Sequence, residues 1–167
     1  MALTGARLLY PETVSQDARG LSVVGLDAQL RDLGFGVVRE YRAFSKGLVV
    51  RGLHHQTGVS KLVRCSSGLI TDYVVDLREK NFGSVFTVQL SGAPTSPYLY
   101  VPHWCAHGYA SLEPSEVVYL MNGGYNAPED KSILWSSINA QWPFSSPILS
   151  ERDEAGMLLA DFPPLRI

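Results

Sequence analysis

The chain has 167 residues, 46% hydrophobic and 18% charged, values that suit one globular domain with a sizeable core and exclude a disordered polyelectrolyte. Its 14 basic and 16 acidic side chains leave a formal charge of −2, so no general field attracts nucleic acid, and an anionic ligand must be held by a few placed cations. No apolar run reaches the roughly 20 residues of a membrane span, so no membrane partner is expected.

Met1 to Gln16 carries Arg7 and Glu12 around a short apolar stretch and makes a poor signal peptide. Cys65 and Cys105 form no CxxC pair and read as two buried thiols, so the expected location is a reducing cytoplasm. No repeat, low-complexity tract or linker interrupts residues 1–167, which are expected to form one domain. Helical period appears only over Leu26–Leu33, where Gly34 stops it. The remainder reads as short strands between turns: Leu48–His54, Lys61–Cys65, Leu69–Leu77, Ser84–Leu90, Tyr98–Val101, Gly108–Leu112 and Val117–Met121. Short strands at this spacing predict an all-β fold, a sandwich or barrel of jelly-roll type. From Asn126 onward the chain is Pro-rich and irregular, with Trp135 and Trp142 expected to pack over the barrel.

The densest reactive cluster is Arg51-Gly52-Leu53-His54-His55-Gln56. Strand alternation puts His54 and His55 on opposite faces, against both binding one metal. The same alternation puts His54 on the face of Val50 and Gly52. A metal-binding barrel usually offers His-x-His, a carboxylate and a later histidine; here the His-x-His pair is missing and only His107 remains, so no metal is expected. For a lone histidine the ordinary reading is a hydrogen-bonded structural residue, and His55 and His103 are read so. His54 stands apart because Arg51 and Lys61 lie close in sequence. An imidazole, with an ordinary pKa of about 6.5, is a workable base beside cations that hold an anion. His107 reads as a turn residue, Tyr119 as a core aromatic and Asp153 as the cap of the turn 151–154, each with a chemical role open beside the structural one.

Taken in order, these pieces resemble the dTDP-4-dehydrorhamnose 3,5-epimerase family, a cupin-type jelly roll. Arg51-Gly52-Leu53-His54-His55-Gln56, then Lys61-Leu62-Val63-Arg64, then Ala106-His107-Gly108 carry the resemblance. Asp17–Gly20, Gly68–Arg78, Phe82-Gly83, Tyr119, Tyr125–Pro128, Ile133–Trp135, Trp142-Pro143 and Leu149–Asp153 extend it. The resemblance implies that His54 is the base, oriented by Asp153, and that Tyr119 is the acid on the other sugar face. It places Lys61 near the keto oxygen, and Arg19, Arg51 and His107 on the diphosphate and sugar. Tyr125 falls where an aromatic stacks on the nucleotide base; Arg39, Tyr41, Asp130 and Arg152 are further substrate-binding candidates. It implies neither cofactor nor metal, a nucleotide-sugar substrate, and a homodimer in which an N-terminal strand joins the neighbour's sheet and brings Arg19 to the partner's site.

Two segments depart from the family pattern. Leu21-Ser22-Val23-Val24 stands where a Phe-rich strand ending in Glu is usual, and Arg39-Glu40-Tyr41 replaces a Gln-Asp-Asn stretch near the nucleotide. A specialised relative is therefore expected, an epimerase inverting C3 and/or C5 of a dTDP-4-keto-6-deoxyhexose in deoxysugar biosynthesis, with a 3- or 5-mono-epimerase of a natural-product or surface-glycan pathway as its narrower form. Beside it stand an epimerase or isomerase of a CDP- or GDP-linked keto sugar, a metal-dependent cupin oxygenase and a non-catalytic sugar-binding cupin.

Overall fold

The computed structural model describes residues 4–167; the first three residues of the N-terminal segment lie outside it. Two five-stranded antiparallel sheets pack face to face. The first runs β1 (Arg7–Leu9), β9 (Tyr98–Val101), β6 (Lys61–Ser67), β11 (Ser115–Met121), β4 (Arg39–Ser45). The second runs β12 (Asp130–Ser132), β5 (Val49–Gln56), β10 (Cys105–Ser111), β7 (Leu69–Asp76), β8 (Val85–Ser91). This is the expected all-β, cupin-type jelly roll, and the short helices lie outside it.

Both sheets are covered on both faces, so strands such as β7 and β10 are buried along nearly their whole length. Between them, Val63, Cys65, Val74, Tyr109, Val117 and Tyr119 interdigitate as one core. Helix α1 (Asp27–Asp32) follows Leu26, which packs with Leu9, Phe35 and Leu62 over the outer face of the first sheet. Gly34 ends that turn at φ +59, as the sequence predicts. The C-terminal tail covers the second sheet with Ile133, Ile138, Leu159 and Phe162. There Trp142 stacks on Tyr73 at 3.9 Å between ring centroids and meets Trp135 edge-on at 5.1 Å, so both tryptophans pack as expected. The tail is less irregular than its prolines suggest, since it supplies β12 and a short helix, α2 (Glu151–Glu154).

A third, two-stranded sheet, β2 (Thr13–Asp17) with β3 (Gly20–Val24), stands apart and nearly every residue in it is exposed. Both cysteines are free and buried. Among the described residues no helix is long and apolar enough to cross a membrane.

Alternation fails at one place, and the site depends on it. His107 of β10 pairs with His54 of β5, while Tyr109, two residues on, pairs with Arg51, three residues back. The extra residue is a β-bulge at Gly52–Leu53. Val50 and Leu53 therefore enter the core beneath the tail, whereas Arg51 and His54 both turn inward. This corrects the expectation that His54 shares a face with Val50. Gly52 has φ +109, and a Cβ there would lie 2.7 Å from both Gly108 Cα and His107 O; a Cβ on Gly108 would lie 2.5 Å from Arg51 O. Two glycines let the strands approach closely enough to form the bulge.

Candidate active site

A cavity of about 370 Å³ opens between the sheets, within the size range of small-molecule sites. β5 gives it Arg51, His54 and Gln56; β6 and β10 give Lys61 and His107; β11 gives Tyr119 and Met121; β4 gives Arg39 and Tyr41. Tyr125, Asp130, Ser150, Arg152 and Asp153 complete its rim from the tail. Eleven of the twelve residues singled out from the sequence therefore line one cavity. The exception is Arg19, whose side chain is 90% exposed at the tip of the β2–β3 hairpin, bound to Asp17 at 2.6 Å. Within its own chain Arg19 does not reach the site. Gln56, Met121 and Ser150 are lining residues that the sequence reading missed, although Gln56 lies two residues from His54 and alternation would have found it.

His54 Nε2 lies 2.6 Å from Asp153 Oδ1. Ser150 caps α2, its hydroxyl accepting from the Asp153 N–H at 3.2 Å. Asp153 thus sits in the first turn of α2, but its carboxylate turns into the site. Its Oδ2 accepts from the Gly52 N–H that the bulge frees, at 3.3 Å, and Ser132 Oγ donates to Oδ1 at 3.4 Å. Burial alone would raise the Asp153 carboxyl; the His54 contact, the Gly52 N–H and the Ser150 hydroxyl outweigh it and hold the group below its ordinary value. An ionised Asp153 can only accept, so Nε2–H of His54 donates to it, which leaves Nδ1 of His54 as the basic nitrogen.

Tyr119 is buried, and burial, reinforced by Tyr109, Asp72 and Tyr41, raises its phenol well above the ordinary value. It is therefore protonated and able to donate. Lys61 is buried and donates to His54 O at 3.2 Å. Burial depresses its ammonium to about 8 against the opposing pull of Asp130 and Asp72.

Arg51 is fixed from one side, donating from Nε to Ser45 Oγ at 3.0 Å and from Nη2 to Phe44 O at 2.8 Å. Arg152 pairs with Asp130 at 2.9 Å, and Arg39 stands 5.3 Å from the centroid of the half-exposed Tyr125 ring. The mouth is thus cationic and aromatic, while the floor carries an imidazole, a phenol and an ammonium. Such a floor can remove a proton from carbon and return one, and such a mouth suits an anion attached to a flat ring. Among the described residues, no group of three or more His, Cys, Asp or Glu side chains is placed to hold a metal ion. His55, on the opposite face of β5, contacts His103 O at 3.0 Å and takes the structural role expected of it.

The family model described as dTDP-4-dehydrorhamnose 3,5-epimerase matches residues 1–161. The dTDP-4-dehydrorhamnose 3,5-epimerase of Shigella flexneri is 34% identical over 166 residues, 92% of this chain and 91% of the relative. A solved dTDP-4-dehydrorhamnose 3,5-epimerase of Bacillus anthracis, with TDP and pyrophosphate bound, superposes with a TM-score of 0.84 at 32% identity, covering 93% of this chain and 94% of that one. A 3'-monoepimerase of Streptomyces bikiniensis in complex with dTDP-quinovose superposes with a TM-score of 0.83 at 27% identity, covering 93% and 84%.

Proposed function

The chain belongs to the dTDP-4-dehydrorhamnose 3,5-epimerase family, and we infer that it is a carbohydrate epimerase of deoxysugar biosynthesis, inverting C3, C5 or both of a dTDP-linked 4-keto-6-deoxyhexose. One observation carries the mechanism: an aspartate-backed imidazole and a protonated phenol open into the same cavity. Nδ1 of His54 takes the proton from the carbon beside the ketone, and the C–H electron pair moves onto the ketone oxygen as an enolate. Lys61 and His107 meet that oxygen. The enolate then collapses, the carbon takes a proton from the Tyr119 hydroxyl on the opposite face, and solvent restores both groups. A positioned base contributes about 10²–10⁴-fold, and a fixed cation at the developing oxyanion contributes a comparable factor.

The diphosphate is assigned to Arg51 and Arg152, the base to the Arg39–Tyr125 corner, and Tyr41 to the sugar-facing wall. The whole chain, 1–167, acts as one epimerase domain, and its two free thiols suit a cytoplasmic location. A homodimer is the working assembly. Its support is the exposed β2–β3 hairpin, with Val14, Leu21 and Val24 open to solvent, and β4, an edge strand with an unpaired side. In that dimer the hairpin delivers Arg19 to the partner's cavity.

The altered segments Leu21–Val24 and Arg39–Tyr41, with the likeness to a 3'-monoepimerase, favour inversion at one carbon only. Turnover of dTDP-4-keto-6-deoxyglucose in D₂O, followed by NMR, tests this. Deuterium is expected at one of C3 and C5; entry at both with similar rates contradicts mono-epimerisation, and entry at neither contradicts the epimerase.

A further inference from the structure

The inward row of β7 is Ile70, Asp72 and Val74, and Asp72 is completely buried in it. A carboxylate in an apolar row is costly to desolvate unless a partner compensates it. Among the described residues neither carboxylate oxygen makes a well-aligned hydrogen bond. Its close partner is His107, whose Nε2 lies 2.7 Å from Oδ1. His107 is itself a floor residue of the cavity. It is the cross-strand partner of His54, and its ring meets Tyr119 edge-on at 5.8 Å between centroids. Asp72 therefore lies one residue behind the wall that the base and the acid share, without touching the cavity.

Resting on the epimerase reading above, we propose that Asp72 is a positioning residue for the reaction: its buried carboxylate fixes the His107 ring through Nε2 and supports the Lys61 ammonium where the ketone oxygen becomes an enolate. A second histidine–aspartate pair thus stands behind the oxyanion, as His54–Asp153 stands behind the proton. The two pairs differ in access. Asp153 backs a half-exposed imidazole, whereas Asp72 is wholly buried behind His107, so the Asp72 charge is little screened by solvent. Burial raises the Asp72 carboxyl, and His107 and Lys61 pull it back. Lys61 in turn faces Asp130, Asp72, Arg152 and Cys105. Asp130 is also engaged by Arg152, and Asp72, held against His107, is the second carboxylate supporting the Lys61 ammonium.

The test compares wild type with Asp72→Asn for deuterium exchange into the keto sugar from about pH 6 to about pH 10, beside affinity for dTDP. Loss of the charge should lower kcat about 100-fold while dTDP affinity stays within about threefold. The alkaline fall of kcat, set by Lys61, should begin at lower pH in the variant. An unmoved alkaline limb, or dTDP affinity lost in step with kcat, overturns the proposal. If Asp72→Asn does not fold, ¹⁵N NMR of wild-type His107 decides: a proton on Nε2 at neutral pH supports the proposal, and a bare Nε2 with the proton on Nδ1 overturns it. Wild-type protein that exchanges nothing sinks the epimerase reading and this one with it, whereas an exchanging wild type with an unmoved variant removes only the role of Asp72.

Discussion

His54 and His55 are neighbours in the chain and opposites in chemistry. His54 has 30% of its side chain exposed, opens into the cavity, and has a carboxylate on Nε2. His55 is 3% exposed, contacts a backbone carbonyl through Nε2, and stands edge-on to Phe162 at 5.6 Å. Burial lowers the His55 pKa, keeping that ring neutral. An accessible nitrogen together with an anionic partner makes a base; a carbonyl and a packed ring make a strut. The same residue type one position apart takes the two roles because strand alternation sends the side chains to opposite faces.

Substitutions can break that contrast. The largest effect is expected at His54→Ala, which should abolish exchange at the reacting carbon, a loss of about 10⁴-fold or more, while dTDP affinity stays largely intact. Tyr119→Phe should lower epimerisation by about 10³-fold yet let proton removal proceed, because only the opposite-face donor is gone; wild-type inversion by this variant contradicts its role as acid. Asp153→Ala should slow exchange by about 10²-fold without eliminating it, since orientation and charge compensation are lost but the base remains. Next comes pH. Lys61 is protonated below about 8, so kcat should fall as pH rises through that value, and an alkaline limb near the ordinary lysine pKa would separate Lys61 from the oxyanion.

His55→Gln sharpens the contrast from the other side. Exchange should stay within about threefold of wild type while stability drops by about 1 kcal/mol, read from denaturant midpoints. The sign of its pH dependence follows from the lowered pKa. Below about 6.5 the unfolded chain takes up a proton that the folded protein resists, so wild-type stability falls on acidification, and the fall should be shallower in His55→Gln.

The strands read most easily from the sequence are those with apolar runs; Tyr98–Val101 was placed to the residue, and Lys61, Leu69 and Val117 lie at or near the starts of theirs. β4 escaped because Arg39, Glu40 and Arg42 hide its inward row of Tyr41, Ala43 and Ser45, a pattern an edge strand can tolerate. β10 begins three residues earlier than its apolar part suggests, since His107 and Cys105 face the interior. The bulge at Gly52–Leu53 has no local signature beyond the glycine. It arises from close approach to Gly108, a partner 56 positions away that a single-strand pattern cannot supply. The epimerase resemblance picked out positions that line the cavity, including Tyr125, and Asp153, whose own surroundings read as a turn cap. Asp72 was not, although a lone acid in Ile70-Thr71-Asp72-Tyr73-Val74-Val75 demands a buried cation.

The central claim is that His54 and Tyr119 act on opposite faces of one sugar carbon. The most direct measurement is the configuration of product formed in D₂O by wild type and Tyr119→Phe, each compared with His54→Ala. The account predicts deuterium with inversion in wild type, deuterium with retained configuration in Tyr119→Phe, and no deuterium in His54→Ala. Deuterium incorporated by His54→Ala at the wild-type rate would contradict it.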